Sequence, residues 1–242
     1  MVDNRVKIYD SPQLAAGALS QRLKDEINKK EGIFNLSISG GSTPKVLFGT
    51  LAEEPFNNGI NWDKTHFWWC DERCVPPDDS ESNFGMTNEI LLSRIAIARE
   101  NIHRIKGEDD PNKEAVRYAM DIEKLICGGR SCVPEFDWVL LGLGDDGHTA
   151  SLFPGKNLLF VYSNIVGVAK HPESGQKRIS LTKEVLNSAK KITFLVTGKD
   201  KAKILSDILL NHPIGKNYPA AEIKPIAGTI DWVIDKAAAF YL

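Results

Sequence analysis

The sequence predicts an α/β fold: a mainly parallel sheet with helices on both of its faces. Three observations predict it. Short apolar runs alternate with longer amphipathic stretches along the whole chain, the pattern of successive β–α units. Several of those runs end in glycine-rich or charged segments, as strands do where they feed loops at one edge of a parallel sheet. No repeat, low-complexity tract or linker interrupts the alternation, so the 242 residues read as a single α/β domain spanning 1–242.

The elements follow in order. Ser11-Pro12 opens a helix, with serine as cap and proline as first helical residue. Leu19, Leu23 and Ile27 give it one apolar stripe, to about Lys30. Ile33 to Ser39 alternates as a strand and ends in Ser39-Gly40-Gly41-Ser42-Thr43-Pro44. There Thr43 is the expected cap and Pro44 the first residue of a helix through Val46, Leu47 and Leu51. Thr65 to Cys70, with Phe67, Trp68 and Trp69, is a second strand running into Asp71-Glu72-Arg73, read as a charged loop. Ser82-Asn83 begins a helix carrying Ile90, Leu91 and Ile95, and Ile102 to Ile105 is a short strand. Pro111 to about Cys127 is helical with Val116, Met120 and Leu125 inward. Trp138 to Leu143 is the third main strand; Asn164 to Ala169 and Arg178 to Leu181 are strand-like. Lys191 to Thr197 alternates around Ile192, Phe194 and Val196, ends at Gly198-Lys199-Asp200-Lys201, and leads into a helix through Ile204, Ile208 and Leu209. Residues 229 to 236 read as a helix, and Ala237 to Leu242 as a last short strand.

Composition narrows the function classes. Hydrophobic residues make up 42% and charged residues 26%, as in a soluble globular protein. Thirty basic against 32 acidic side chains leave a formal charge of −2, which points neither to nucleic acid nor to an anionic membrane surface. Met1 to Lys7 lacks an apolar signal-peptide core and no run is long enough to span a bilayer, so a cytoplasmic protein is expected. The cysteines stand at 70, 74, 127 and 132, without a Cys-x-x-Cys. Reduced thiols are the default expectation in that compartment, and a zinc site built from both pairs is the alternative.

Four strand-end segments carry the chemistry. Gly40-Gly41-Ser42-Thr43 offers glycines for close backbone approach, two hydroxyls and the amides of a helix start. It reads either as an anion site or as a tight turn with a cap. It lacks the Gly-Lys-Ser/Thr of a P-loop and is not Gly-x-Gly-x-x-Gly, so a single phosphate rather than a nucleotide is indicated. Asp71-Glu72-Arg73 puts charges directly after an aromatic strand. Gly142-Leu143-Gly144-Asp145-Asp146-Gly147-His148 sets a histidine and two carboxylates in one glycine-rich turn, the makings of an acid–base pair or simply a polar turn. Gly198-Lys199-Asp200-Lys201 puts ammonium groups at a helix start, where a bound anion offsets the unfavourable helix dipole. No Gly-x-Ser-x-Gly elbow and no His-x-x-x-His helix occurs, so neither a serine nucleophile nor a metal centre is expected.

Taken together, these residues resemble the glucosamine-6-phosphate isomerase/6-phosphogluconolactonase family. The resemblance rests on Ser39 to Pro44, on Asp71-Glu72-Arg73 with Val75-Pro76 and Ser82-Asn83, on Gly142 through Asp146-Gly147-His148-Thr149-Ala150-Ser151-Leu152-Phe153-Pro154, and on Gly198-x-x-Lys201-Ala202. It implies a Rossmann-like three-layer sandwich, a phosphorylated sugar lactone as substrate, no cofactor and no metal, and names no protein partner. It further implies His148 as general base oriented by Asp146. Substrate contacts fall to Gly40, Gly41, Ser42, Thr43, Asp71, Arg73 and Lys201. Arg178, in an Arg-Ile-Ser-Leu-Thr context similar to the family's, joins them. Within the family, deaminases carry a tyrosine after Asp-Glu and a catalytic glutamate five residues beyond the turn histidine. Here those positions are Arg73 and Phe153, which favours the lactonase branch over the isomerase/deaminase. A sugar-phosphate sensor is the third reading, and no segment is left over for the partner-binding module that a sensor carries.

Overall fold

Two sheets organise the chain. The computed structural model describes residues 4–155, 159–160 and 164–242. Strands β1 (Val6–Tyr9), β2 (Phe34–Ile38), β3 (Thr65–Trp69), β4 (Asp71–Arg73), β5 (Ile102–His103) and β6 (Trp138–Leu141) come first. They are followed by β7 (Leu159–Phe160), β8 (Val166–Lys170), β9 (Lys177–Leu181), β10 (Lys191–Val196) and β11 (Thr229–Asp235). The helices are α1 (Pro12–Lys29), α2 (Ser42–Leu51), α3 (Asn83–Ile90), α4 (Pro111–Ile126), α5 (Lys183–Ser188) and α6 (Ala202–Leu209).

The larger sheet is parallel throughout, in the order β1-β11-β10-β6-β2-β3-β5. From β2 the chain winds outward to β3 and β5; from β6 it winds the other way, to β10 and β11. The reversal falls between β2 and β6, which pair Leu36 with Trp138 and Ser37 with Val139. Loops leaving the two strands must diverge, and a crevice opens at their carboxyl ends. All four residues of β6 are buried, as are the last five of β10, so the middle of the sheet is covered on both faces. In α1 the stripe Leu19, Leu23 and Ile27 is fully buried, as the spacing predicts, and the helix packs on α2 and β11. Trp68 and Trp69 are also fully buried core residues.

The second sheet, in the order β4-β9-β8-β7, is antiparallel, and α4 packs on its β8 and β9. Cys70 is the junction between the two sheets. Its N–H donates to Ile38 O (2.7 Å) in the first, and its carbonyl accepts from Leu181 N–H (2.8 Å) in the second.

Several sequence expectations change here. Asp71-Glu72-Arg73 is a strand, not a loop: one residue after β3 it pairs with β9, and Arg73 lies opposite Arg178. The helix after β2 begins at Ser42, with Gly41 at the cap position at φ +112° and no side-chain cap bond. Thr43 is therefore inside the helix rather than its cap, and its hydroxyl meets that of Thr197 (3.2 Å). The helix expected through Ile95 stops at Ile90. In α4 the buried stripe is Ala115, Tyr118, Ala119 and Ile122, while Met120 and Leu125 are exposed. Residues Thr229–Asp235 form a strand, parallel to β10 on one side and β1 on the other. With both edges of β11 occupied, the chain end does not extend the sheet; it turns back on Asp235, whose carboxylate accepts from Ala238 N–H (2.8 Å).

Tyr118 ties α4 to the end of β3: its hydroxyl donates to Trp69 O and accepts from Trp69 N–H, each at 2.9 Å, with the side chain fully buried. Tyr118→Phe strips both backbone groups of a partner in a site closed to water. Its expected cost is about 1–3 kcal/mol, read as a lower denaturation midpoint at unchanged slope.

Candidate active site

The site grows from the two loops at the reversal. After β2, the turn at Gly41 leaves the first amides of α2 without a capping side chain, so they are free to hold an anion. Gly40 has no room for a side chain: a Cβ there would lie 1.7 Å from Asn83 Oδ1. Asn83 opens α3, and its amide donates to Asp71 O (2.9 Å) and lies 3.4 Å from Asp71 Oδ1. Asp71 is buried and accepts from Ser151 Oγ (2.7 Å). The three elements β2, β4 and α3 are thus clamped together under the loop.

After β6, the turn closes with Gly144 N–H donating to His148 O (2.8 Å) and Gly147 N–H to Gly144 O (3.1 Å). Thr149 Oγ1 donates to Gly142 O (2.9 Å). Asp146 Oδ1 receives the backbone N–H of His148 (3.0 Å) and meets its ring Nδ1 at 2.5 Å. Burial pulls the Asp146 carboxyl upward, but the ring and backbone hydrogen bonds from His148 outweigh it and hold the group at about 2. Nε2 is the ring nitrogen left for other partners. A Cβ at Gly144 would lie 2.0 Å from His148 Nδ1, so glycine there is what lets the imidazole lie against the turn. The buried ring of Phe153 sits 5.1 Å from the imidazole, centre to centre.

One pocket brings these segments together. Gly40, Gly41, Ser42 and Thr43 line it, with Asp71 and Arg73 from β4, His148 from the turn, Arg178 from β9 and Lys201 from the start of α6. Asp146 does not line the pocket; it stands behind His148. Sequence reasoning missed Ser39, Asn83 and Thr149 as pocket residues. Ser39 had a signal, a hydroxyl directly before two glycines. Asn83 had none beyond its place in a motif, since its approach to Gly40 is a tertiary contact.

The electrostatics favour an anion. Arg73 and Arg178 face each other across the β4–β9 ladder, and Arg178 is almost fully buried. Burial, and then the Arg73 guanidinium, pull the Arg178 pKa below its ordinary value. Six buried side-chain nitrogen or oxygen atoms among the described residues lack a hydrogen-bond partner, and three of them, Ser39 Oγ, Arg73 Nε and Arg178 Nε, belong to residues of this pocket. Buried donors left unpaired in this way are costly unless a ligand completes them. Lys201 pairs with Asp145 and lies 3.7 Å from Asp200. Glu72, by contrast, turns away from the pocket. Its Oε1 accepts from the N–H groups of Arg73 (2.7 Å) and Asn83 (2.8 Å), its Oε2 from Phe84 N–H (2.7 Å) and Ser82 Oγ (3.2 Å). Burial pushes its carboxyl up to about 7 against the pull of the Phe84, Asn83 and Arg73 N–H groups.

The expectation of reduced thiols holds for one pair of cysteines and fails for the other, and the alternative zinc site does not form from the two pairs. Cys127 and Cys132 are joined as a disulfide, and Cys70 and Cys74 are free. Burial pushes the Cys70 thiol up to about 12 and the Cys74 thiol up to about 11, so neither is a ready thiolate. Among the described residues, no three His, Cys, Asp or Glu side chains are grouped to hold a metal, and no helix is long and apolar enough to cross a membrane.

Comparison with known proteins agrees with this fold. The sequence pattern of one family, glucosamine-6-phosphate isomerases/6-phosphogluconolactonase, matches residues 10–232. A 6-phosphogluconolactonase of Haemophilus influenzae is 50% identical over 204 residues, covering 84% of this chain and 85% of its own. The crystal structure of the devB protein is 43% identical and superposes with a TM-score of 0.91 over 98% of this chain and 99% of that one. The 6-phosphogluconolactonase of Trypanosoma brucei is 26% identical, with a TM-score of 0.82 and full coverage of both chains.

The role of Glu72 is testable apart from any activity. Glu72→Gln turns an amide NH₂ toward two of the donors that the carboxylate satisfies. A loss of about 1–3 kcal/mol in unfolding free energy is expected. Equal stability of the variant by urea denaturation would show that the carboxylate does not hold the start of α3.

Proposed function

We propose that this chain, which belongs to the glucosamine-6-phosphate isomerase/6-phosphogluconolactonase family, hydrolyses 6-phosphoglucono-δ-lactone to 6-phosphogluconate. The observation that carries the reading is the Asp146–His148 pair, 2.5 Å apart, opening on a pocket whose other walls are an uncapped helix start and three cations. The same reading implies the oxidative pentose phosphate pathway and a cytoplasmic setting.

In this mechanism Asp146 fixes the imidazole with Nδ1–H toward itself, leaving Nε2 to take a proton from water. The hydroxide equivalent adds to the lactone carbonyl carbon, and its oxygen becomes an oxyanion beside Arg73. Collapse breaks the bond from that carbon to the ring oxygen. The proton held on Nε2 then passes to the leaving oxygen, which becomes a hydroxyl. The phosphate, remote from the reacting carbon, rests on Gly41, Ser42 and Thr43 with Lys201, and this grip positions the ester. Arg178 and Gly40 complete that end of the pocket, and Asp71 accepts from sugar hydroxyls. Phe153 supports the lactonase over the deaminase reading: a phenyl ring beside His148 cannot relay the protons that amine release requires.

His148→Ala should lower kcat by about a hundredfold or more while KM changes little, because the phosphate grip lies on other loops. Asp146, held at about 2 by the His148 hydrogen bonds, keeps its charge on mild acidification. A near-normal rate in His148→Ala would remove His148 as the base. Lys201→Ala should raise KM for the phosphorylated lactone far more than for glucono-δ-lactone; equal effects would show that Lys201 does not meet the phosphate. Activity should survive EDTA, measured after correction for spontaneous ring opening.

A further inference from the structure

Lys201 enters the pocket wall already engaged. Its ammonium is bonded to Asp145, and the two partners are unequally placed: the Lys201 side chain is 17% exposed, that of Asp145 83%. A largely buried cation is therefore held by a carboxylate standing in solvent. That carboxylate sits on the turn that carries Asp146 and His148, next in sequence to Asp146, whose own oxygen is occupied by His148. Asp200, at 3.7 Å and also exposed, is a weaker second neighbour. Asp145 has no role in the chemistry above.

We infer that Asp145 is a tethered competitor for the Lys201 ammonium, loosening the grip on the phosphate so that product leaves. This rests on the reading of Lys201 as a phosphate contact. Substrate and product carry the same phosphate, so tighter binding at Lys201 stabilises both equally. Such uniform binding lowers KM without lowering the chemical barrier, and it retains product. A carboxylate on the adjacent turn shifts that balance: it holds the ammonium when the phosphate departs and must be displaced when one arrives. Exposed carboxylate–ammonium pairs shift equilibria by a factor of about 1.5–5, enough to tune affinity without abolishing it.

The test compares Asp145→Asn with the wild type in three measurements: KM for 6-phosphoglucono-δ-lactone, the inhibition constant of 6-phosphogluconate, and the affinity for inorganic phosphate by calorimetry. All three should tighten together by about 2- to 5-fold, with KM for glucono-δ-lactone unmoved. Asp200→Asn, with the same change of charge, should move them less. In a Lys201→Met background Asp145→Asn should have no effect on phosphate affinity. The inference is overturned if Asp145→Asn weakens phosphate binding or leaves it alone, if Asp200→Asn matches it, or if its effect persists without Lys201. If no lactone is opened by either protein while Asp145→Asn still tightens inorganic phosphate, the reaction has been misread and the competition at Lys201 stands.

Discussion

The constraint on which the site depends is the reversal of winding between β2 and β6. Two parallel strands lie side by side, yet the chain leaves them in opposite directions, so their loops cannot close over each other. The space between is filled from below by close backbone approaches. At Gly40 and Gly144 a methyl group would strike Asn83 and His148 respectively. Those two glycines thus fix how near the loop after β2 comes to α3 and how closely the imidazole lies on its turn. The second sheet is hinged on at Cys70, bonded to both sheets, and it brings β4 and β9 to the same crevice.

Charge in the crevice runs opposite to the chain as a whole. The protein carries a formal −2, but Arg73, Arg178 and Lys201 converge on one pocket, two of them facing each other on neighbouring strands. Like charges directly opposite in a ladder are unfavourable. They are offset here by the buried Asp71 carboxylate, and a dianionic ligand would offset them further. The carboxylates divide the remaining tasks. Asp71 is locked by Ser151 and Asn83, Glu72 holds the start of α3, and Asp146 orients the histidine. Asp145 stands in solvent, paired to Lys201 of the pocket wall.

Much of this was legible in the sequence because it depends on local chemistry. The stripe of Leu19, Leu23 and Ile27, the apolar run of β6, and the glycine-rich turns all announce themselves within a few residues. What failed depended on neighbours far along the chain. Thr229–Asp235 carries Ile230, Val233 and Ile234 at helical spacing, but it is a strand flanked on both sides by others; its β-branched content was the better signal. Asp71-Glu72-Arg73 is too short and too charged to read as a strand until β9 is beside it. In α4, Met120 and Leu125 outweigh Ala115 and Ala119 in hydrophobicity. Yet the face that packs is the one whose Tyr118 reaches the backbone of Trp69. The Cys127–Cys132 bond is the exception, a local one closed across the turn at Gly128 and Gly129, where both glycines take positive φ. At the site, sequence could name the four strand-end segments and Arg178, but not the pairing of Lys201 with Asp145 or the withdrawal of Glu72.

The central claim is that phosphate and reacting carbon are held by different loops, with His148 at the carbon. A crystal structure with 6-phosphogluconate bound tests it most directly. The expected result has the phosphate on the amides of Ser42 and Thr43 and on Lys201, with Asp145 displaced. The C1 carboxylate then lies within hydrogen-bond reach of His148 Nε2. A ligand seated the other way, with its phosphate on Arg73 and its C1 carboxylate remote from His148, would contradict the claim.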